Sequence, residues 1–188
     1  VTFLTAHYAL NHLARMSKGE RVLIHAAAGG VGLSAVQLAL HAGAEVFATA
    51  GSSEKRAFLQ YIGVKHVMDS RSLAFADEVM QLTGGKGVDI VLNSLPGEYI
   101  PKSLSTLAPY GRFLEIGKTD IYLNRSLDLY PFYNNLSYFA IDLDRLCRDR
   151  PALVRSLFLE LVEYFKNGTL KPLPRSVFPI QEIEGAFR

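Results

Sequence analysis

Apolar positions along this chain form two kinds of run. Short continuous apolar runs are typical of strands buried on both faces, and longer segments with apolar residues every three or four positions are typical of helices. The runs that predict strands are Arg21–His25, Glu45–Thr49, His66–Met68, Asp89–Leu92, Arg112–Ile116 and Tyr138–Ile141. The helical patterns are Val31–Ala42, Glu54–Ile62, Phe75–Leu82, Tyr99–Leu107 and Pro151–Asn167.

Strands and helices therefore alternate through most of the sequence, and this order predicts an α/β fold with a parallel sheet covered on both faces. Six such strands favour the doubly wound, six-stranded Rossmann sheet, in which ligands bind beyond the carboxyl ends of the strands. The connection Lys118–Leu136 is aromatic and irregular, and its pattern predicts neither a helix nor a strand. The sequence opens and closes inside helical patterns, so we expect an excised piece of a longer protein.

Composition narrows the class of protein. Of the 188 residues, 49% are hydrophobic and 20% are charged, and the formal charge of +2 gives no reason to expect a nucleic acid or a membrane surface as partner. Cys147 is the single cysteine of the sequence, which excludes an internal disulfide and a multi-cysteine zinc site. There is no apolar run of membrane-spanning length and no signal-peptide pattern, so a cytoplasmic location is expected.

The stretch HAAAGGVG follows the first predicted strand and opens a helix, as a dinucleotide-binding turn does. Gly29 would let the backbone approach a pyrophosphate, and Gly32 would allow the helix to pack closely on the strand. Ala27 stands where the first glycine of the usual G-x-G-x-x-G pattern is expected, which weakens the match. The alternative is a glycine-rich turn with no ligand. The predicted contacts are Ala28, Gly29, Gly30, Val31 and Gly32.

The end of the second predicted strand indicates which dinucleotide is bound. The sequence there is ATAGSSEKR, with no carboxylate placed to accept both ribose hydroxyls of NADH. Ser52 offers a hydroxyl, and Lys55 and Arg56 offer positive charge, which together suit the 2′-phosphate of NADPH. Alternatively, the serines only cap the next helix and the cations are solvated. We predict NADPH as the cofactor.

Four stretches carry a family resemblance: HAAAGGVGLSAVQLA, DIVLNSLPGEYI, GRFLEIGKTDI and FPIQEIEGAFR. Together they resemble the enoyl reductase domains of type I polyketide synthases and animal-type fatty acid synthases, in the zinc-free branch of the medium-chain dehydrogenase/reductase superfamily. The resemblance implies a two-part reductase of which this chain is the cofactor-binding part. Residues 1–19 would then enter from the absent substrate part, residues 20–168 would form the Rossmann domain, and residues 169–188 would return to the substrate part.

The implied reaction delivers hydride to the β-carbon of an enoyl thioester, creates enolate charge and then protonates the α-carbon. Lys118 follows the fifth predicted strand, where a cation could stabilise the enolate or donate the proton, and it matches the family's candidate proton donor. Asp142 is the predicted partner of this lysine, because an acidic residue near this position partners the lysine in the resembling domains. Asp144 and Asp120 remain alternative partners. A tyrosine donor proposed for part of the family would lie in the absent substrate part.

Further cofactor contacts are predicted from the ends of the other elements. They are Ser70 after the third strand, Asn93, Ser94 and Leu95 after the fourth strand, and Gly117 with Lys118 after the fifth. Thr5 is added because it resembles a threonine that faces the cofactor from the entering helix in the family. Taken singly, most such residues are turn or cap residues. His25 is interpreted as a core or turn histidine, and no metal ligand is predicted.

Three functions stay open on the sequence alone. The favoured one is an NADPH-dependent enoyl reductase domain, working with an acyl carrier protein and other domains of the same synthase, with a homodimer through the sheet edge as a further option. A second is a free-standing quinone oxidoreductase, which shares the glycine stretch. The third is a nucleotide-binding module without catalytic activity.

Overall fold

A computed structural model describes residues 1–175 and 177–187 of the chain. Ser176 and Arg188 lie outside the described residues, so the predicted returning segment, residues 169–188, is described only in part.

The described residues form one six-stranded sheet in which every neighbouring pair of strands is parallel. The strands are β1 (Arg21–Ile24), β2 (Glu45–Ala50), β3 (His66–Asp69), β4 (Val88–Asn93), β5 (Leu107–Glu115) and β6 (Ser137–Ala140). Their order across the sheet is β3-β2-β1-β4-β5-β6, which is the order of the classic dinucleotide-binding sheet. The predicted doubly wound Rossmann fold is thus confirmed.

Helices separate most of the strands and cover both faces of the sheet. They are α1 (Thr2–His7), which continues as a π-helix (Tyr8–Leu13), α2 (Gly30–Ala42), α3 (Ser53–Tyr61), α4 (Phe75–Leu82), α5 (Tyr99–Leu104), α6 (Thr119–Tyr122), α7 (Leu143–Asp149), α8 (Pro151–Lys166) and α9 (Ile183–Ala186). One buried cluster joins α1, α2 and α8 to one face of the sheet, and a second joins α4 and α5 to the other.

Alternation along β1 shows how two cores arise from one sheet. Val22 and Ile24 belong to the first cluster, whereas Leu23 between them belongs to the second. Successive side chains of a strand point to opposite faces, so a strand covered on both faces must be apolar throughout. This is why the strands could be recognised as continuous apolar runs.

The predicted boundaries were wrong by more than one residue in two places. The helix predicted for Tyr99–Leu107 ends at Leu104, and β5 begins at Leu107 instead of the predicted Arg112. Tyr110 has a left-handed φ of 65° and Gly111 follows it, so the chain turns sharply inside this long strand. This pair of turn residues hides the start of the strand from a periodicity argument.

The connection Lys118–Leu136, which the pattern left without an assignment, contains α6 and a 3-10 turn at Tyr130–Asn134. Several of its aromatic side chains are exposed, including Tyr122, Tyr130 and Tyr133.

Within the described residues, none of the helices combines the length and the apolar character that crossing a membrane would require.

Candidate functional site

The sheet places the candidate site at the junction of β1 and β4. Consecutive strands lie to one side of β1 and then to the other side, so the loops after β1 and β4 diverge and leave a crevice between them. Ile24 pairs with Leu92 at the carboxyl ends of these strands. The segments that follow β1, β2, β4 and β5 all leave the sheet at this edge, and they carry most of the predicted site residues.

The glycine turn after β1 is tightly packed, most of all at Gly32. A Cβ atom on Gly32 would lie 2.5 Å from the carbonyl oxygen of Ala26 and from the Cα atom of Ala27. A Cβ on Gly29 would lie 3.2 Å from the same carbonyl oxygen. Gly29 is the N-cap of α2, and Gly29 and Gly30 are exposed at its amino end, where unpaired N–H groups attract anions.

The surroundings of Ala27 show why the turn forms without a glycine at its first position. Its side chain is fully buried, and its backbone N–H donates to the carbonyl oxygen of Thr49 on β2 at 2.9 Å. The left-handed conformation of the turn is taken by Ala26, with a φ of 47°. The turn is therefore built without a glycine at its first position, whereas at position 32 glycine is sterically required.

The loop after β2 gathers the residues predicted to hold a 2′-phosphate. Ser52 caps α3, because its Oγ accepts a hydrogen bond from the Lys55 N–H at 3.3 Å. The Lys55 side chain is exposed. Beside them, a Cβ on Gly51 would lie 3.4 Å from Ser70 Oγ and 3.3 Å from Arg71 Nε, so the loop after β3 adds a hydroxyl and a second cation.

The Arg56 side chain makes contacts within the protein that stabilise the fold. Its Nη1 donates to the Ala50 carbonyl oxygen at 3.1 Å and lies 3.6 Å from Asp69 Oδ2. The guanidinium thus ties α3 to the carboxyl ends of β2 and β3. Of the two cations predicted from the sequence, Lys55 is the one that projects from this surface.

Lys118 and Asp142 form an ion pair at the carboxyl end of the sheet. Lys118 Nζ lies 3.0 Å from Asp142 Oδ2 and 3.8 Å from Asp144 Oδ2. The Asp142 side chain is 38% exposed and that of Asp144 is 87% exposed. Asp142 is therefore the closer and better shielded partner. Asp120, the third alternative, instead accepts from the Gly97 N–H and pairs with Arg125.

The pair shifts both ionisation equilibria toward the charged forms. The hydrogen bond to Asp142 raises the pKa of Lys118 above its ordinary value, with the charge of Asp142 adding to the effect. Asp142 is also the N-cap of α7, and the Arg145 N–H that it accepts, together with Lys118, lowers the pKa of its carboxyl group. Lys118 is thus held as a cation.

The loops after β4 and β5 meet around a buried carboxylate that the sequence did not single out. Glu115 is only 2% exposed; one oxygen accepts from the Gly117 N–H at 2.6 Å and the other accepts from Asn93 Nδ2. Burial raises the pKa of Glu115 to about 7, against the opposing effect of these donors. The sequence signal that could have identified Glu115 is an acidic residue inside the apolar run RFLEI.

Asn93 is fully buried, and both the nitrogen and the oxygen of its side-chain amide are hydrogen-bonded within the protein. Nδ2 donates to the Leu95 carbonyl oxygen at 2.9 Å as well as to Glu115, and Oδ1 accepts from the Leu95 N–H at 3.2 Å. Asn93 therefore shapes the loop that carries Leu95. Ser94 and Leu95 are partly exposed, and Ser94 lines the small cleft above Glu115.

Two other predicted residues lie inside the packed structure. Thr5 is 8% exposed, and its hydroxyl donates to the Val1 carbonyl oxygen within α1. His25 lies directly after β1, where its ring nitrogens are 3.0 Å from Thr49 Oγ1 and 2.8 Å from Ser103 Oγ. Burial lowers the pKa of His25 to about 3, so it is a neutral core histidine, as interpreted from the sequence. In the part of the chain that the structure describes, no group of three or more potential metal ligands is found.

Comparison with known proteins adds two kinds of likeness. Residues 30–147, more than half of the chain, match the family model described as zinc-binding dehydrogenase. One subunit of the phenolphthiocerol/phthiocerol polyketide synthase of Mycobacterium tuberculosis is 46% identical over 188 residues. That match covers all of this chain and 9% of the synthase polypeptide, so the chain spans a small fraction of its relative.

Solved structures give the same picture. CurK enoyl reductase superposes with a TM-score of 0.89 at 53% identity over all of this chain and 55% of that chain. The nucleotide-binding subdomain of the enoylreductase domain of PpsC from Mycobacterium tuberculosis gives 0.87 at 46% identity, over 92% of this chain and 96% of that one. Mycobacterial Rv1454c, solved in complex with NADPH, gives 0.84 at 26% identity over 99% of this chain and 58% of that one.

Proposed function

Because the chain belongs to the zinc-binding dehydrogenase family, with the enoyl reductase regions of polyketide synthases among its relatives, we propose that it is the NADPH-binding part of such a reductase. The complete domain would reduce the α,β-double bond of an enoyl thioester carried by an acyl carrier protein. The observation that carries this proposal is the Lys118–Asp142 ion pair at the carboxyl edge of a Rossmann sheet, on the edge where the glycine turn also lies.

The glycine turn fits a pyrophosphate. Gly29 and Gly30 present exposed backbone at the amino end of α2, and the small clearance at Gly32 means that strand and helix approach as closely as this binding mode needs. The helix N–H groups would bind the phosphate oxygens. NADPH, when bound, supplies the hydride; the residues of this chain hold and orient it.

The loop after β2 supports NADPH over NADH. The Ser52 hydroxyl, the exposed Lys55 ammonium and the Ser70 and Arg71 side chains lie around Gly51, and a 2′-phosphate would pair with the two cations. Gly51 leaves room for the ribose. Arg56 would act indirectly, by holding α3 on the carboxyl ends of β2 and β3.

Lys118 is proposed as the group that meets the developing enolate. Hydride addition to the β-carbon moves negative charge to the thioester oxygen, and a fixed cation near that oxygen lowers the barrier. Asp142 raises the pKa of Lys118, so the ammonium is a reliable cation and a weaker proton donor than a free lysine. Charge stabilisation is thus its primary role, and the α-proton would come from a second source.

The partners follow from the size of the relatives. The matched synthase polypeptide is about ten times longer than this chain, so other domains of the same polypeptide, including a substrate part and an acyl carrier protein, are proposed to complete the enzyme. Thr5 and the residue 169–175 segment would lie near the join to the substrate part. Strand β6 lies at the sheet edge, where a second copy could pair with it.

A binding and turnover experiment tests the proposal. We expect calorimetry to show that the 188-residue chain binds NADPH more tightly than NADH. We expect turnover of an enoyl thioester only when the substrate part is present on the same polypeptide. Equal affinity for the two cofactors would overturn the 2′-phosphate assignment, and rapid reduction of a quinone but not of an enoyl thioester by the complete domain would favour a quinone oxidoreductase.

A further inference from the structure

The buried carboxylate of Glu115 joins the two loops that form the nicotinamide end of the proposed cleft. One loop follows β4 and contains Ser94 and Leu95; the other follows β5 and contains Gly117 and Lys118. Glu115 accepts a hydrogen bond from each side, through Asn93 Nδ2 and through the Gly117 N–H. The Glu115 side chain therefore bridges the end of β4 and the turn after β5.

The clearance at Gly117 shows how little freedom this arrangement has. A Cβ on Gly117 would lie 2.7 Å from Glu115 Oε1 and 3.4 Å from the Ser94 carbonyl oxygen. Asp120 adds a second tie farther out, because it accepts from the Gly97 N–H at 2.9 Å. The Gly117–Lys118 turn is consequently held against the Ser94–Gly97 loop from both sides.

The two donors also determine which form of Glu115 fits. A carboxylate offers a strong acceptor to each donor, whereas in a protonated carboxyl group the hydroxyl oxygen is a poor acceptor, so one of the two bonds is largely lost. Solvent water cannot replace the lost bond, since the side chain is almost fully buried. The two hydrogen bonds therefore favour the ionised form, whereas burial favours the protonated form.

From this geometry we infer that Glu115 is a positioning residue of the reductase: as a carboxylate it sets the spacing of the β4 and β5 loops, and nicotinamide-nucleotide binding depends on its ionisation. This rests on the proposed function, since it assumes that these loops hold the nicotinamide end of the cofactor. Lys118 is oriented by the same turn, so the loop spacing would also affect the position of its ammonium group.

Burial and the neighbouring charges place the ionisation of Glu115, and with it the expected change in cofactor binding, near neutral pH. Burial raises its pKa to about 7, and the carboxylate of Asp120 adds to the rise. Tyr138, on the neighbouring β6, also faces it, and its own pKa is raised to about 12 by burial and by Glu115 and Asp120, so it stays neutral. Lys118 lies just beyond the turn and is paired with Asp142.

The first test uses Glu115→Gln, which keeps the size of the side chain but presents an amide N–H₂ to one of the two donors. At pH 8 we expect its NADPH affinity to be about tenfold or more below wild type, the value of a lost charge-assisted hydrogen bond. Wild-type affinity should fall as the pH is lowered through about 7, and the variant should lose that part of the profile. The same titration with NADH, which has no 2′-phosphate, tests whether the pH dependence comes from that phosphate, because its ionisation occurs near pH 6.

Glu20→Gln is the matched control. Glu20 lies just before β1, at the opposite end of the strands from the cleft, and pairs with Arg112 at 2.8 Å, so this variant removes a hydrogen-bonded carboxylate away from the cleft. We expect the wild-type pH profile of cofactor binding in this variant. A Glu115→Gln profile that matches wild type, or a Glu20→Gln profile that matches Glu115→Gln, would overturn the inference.

A second measurement needs neither a variant nor a bound cofactor. In the wild-type chain without nucleotide, the amide proton resonance of Gly117 should titrate with a midpoint near pH 7, because its acceptor is Glu115 Oε1. A Gly117 resonance unchanged between pH 5 and 8.5 would overturn the role of Glu115 even if NADPH binds well. A chain that shows this titration but binds no nicotinamide nucleotide would instead overturn the proposed function and, with it, the coupling to binding.

Discussion

Lys118 Nζ lies 3.0 Å from Asp142 Oδ2, although the two residues follow different strands. Lys118 ends the turn after β5, and Asp142 caps the helix after β6. The pairing of β5 with β6 aligns Glu115 with Ala140, and this register brings the two following segments together. A lysine that would otherwise be solvated is thereby fixed at the edge of the cleft.

Lys118→Ala in the complete reductase should lower kcat much more than it changes the affinity for NADPH. An electrostatic donor of this kind contributes roughly 10²–10⁴-fold to the rate. The rate of hydride transfer and the stereochemistry at the α-carbon separate the two roles: slower transfer with unchanged stereochemistry indicates charge stabilisation, and scrambled stereochemistry at normal transfer rate indicates proton donation. Lys65→Ala, at an exposed site before β3, is the control. Wild-type values for both measurements would remove Lys118 from the mechanism.

Asp142→Asn should separate the charge of Asp142 from its role as a helix cap. Asparagine caps a helix about as well as aspartate, so α7 should remain stable, whereas the pKa of Lys118 should fall because its anionic partner is lost. We expect a lower kcat and a pH–rate profile in which the limb assigned to the lysine moves to lower pH. Asp144→Asn, which is more exposed and 3.8 Å away, should have the smaller effect. Equal effects of the two variants would show that no single partner positions Lys118.

Lys55→Ala should weaken NADPH binding and leave NADH binding nearly unchanged, because only NADPH carries the phosphate that the ammonium group would contact. Isothermal titration with both cofactors measures the difference, which we expect to be about tenfold or less for an exposed cation. Arg56→Ala is the informative comparison: it removes contacts to Ala50 and Asp69, so both cofactors should lose affinity together and the melting temperature should fall. A Lys55 variant that loses both cofactors equally would contradict the assignment.

Gly32→Ala should destabilise the chain severely. The added Cβ would lie 2.5 Å from backbone atoms of Ala26 and Ala27, which cannot move aside as a side-chain tip would. Overpacking of this kind costs about 1–3 kcal/mol or more in the free energy of unfolding. Gly185→Ala, where an added Cβ meets open space, is the control for thermal denaturation. A Gly32 variant as stable as the control would show that the turn relaxes more easily than its packing indicates.

His25→Gln should change the dependence of stability on pH. In the folded chain the pKa of His25 is about 3, below its ordinary 6.5, so the unfolded state binds more protons between these values and wild-type stability falls as the pH is lowered through this window. Each pH unit within the window changes the free energy of unfolding by up to about 1.4 kcal/mol. Glu115 acts in the opposite direction: its raised pKa makes stability fall as the pH increases from about 4.5 to about 7.

The two groups should therefore partly cancel in wild type between about pH 4.5 and 6.5. Denaturant titrations at several pH values should show that His25→Gln removes the loss of stability on acidification and leaves the Glu115 dependence visible. Identical pH slopes for the variant and wild type would mean that His25 is not the neutral buried group that its contacts with Thr49 and Ser103 indicate.

The sequence by itself determined the fold and predicted the chemistry of the candidate cleft. Strands buried on both faces must be apolar throughout, so the number of strands and their alternation with helices could be predicted from the apolar runs. The glycines at 29 and 32 indicated a phosphate-binding turn, because a side chain at either position would contact backbone atoms. Lys118 was predicted as a site residue because it lies just after a strand, at the edge of the sheet where ligands bind in this fold. These are local signals, carried by residue type and spacing.

Tertiary structure alone decided which of the candidate side chains meet. Asp142 was the predicted partner of Lys118, but Asp144 and Asp120 remained alternatives until the β5–β6 register placed Asp142 nearest and turned Asp120 toward Gly97. The importance of Glu115 was hidden for the same reason: its hydrogen bond to Asn93 crosses from β5 to β4, and no local pattern encodes that contact. Distances between segments that are far apart in sequence depend on the packing of the whole sheet, so they become visible only once the chain has folded.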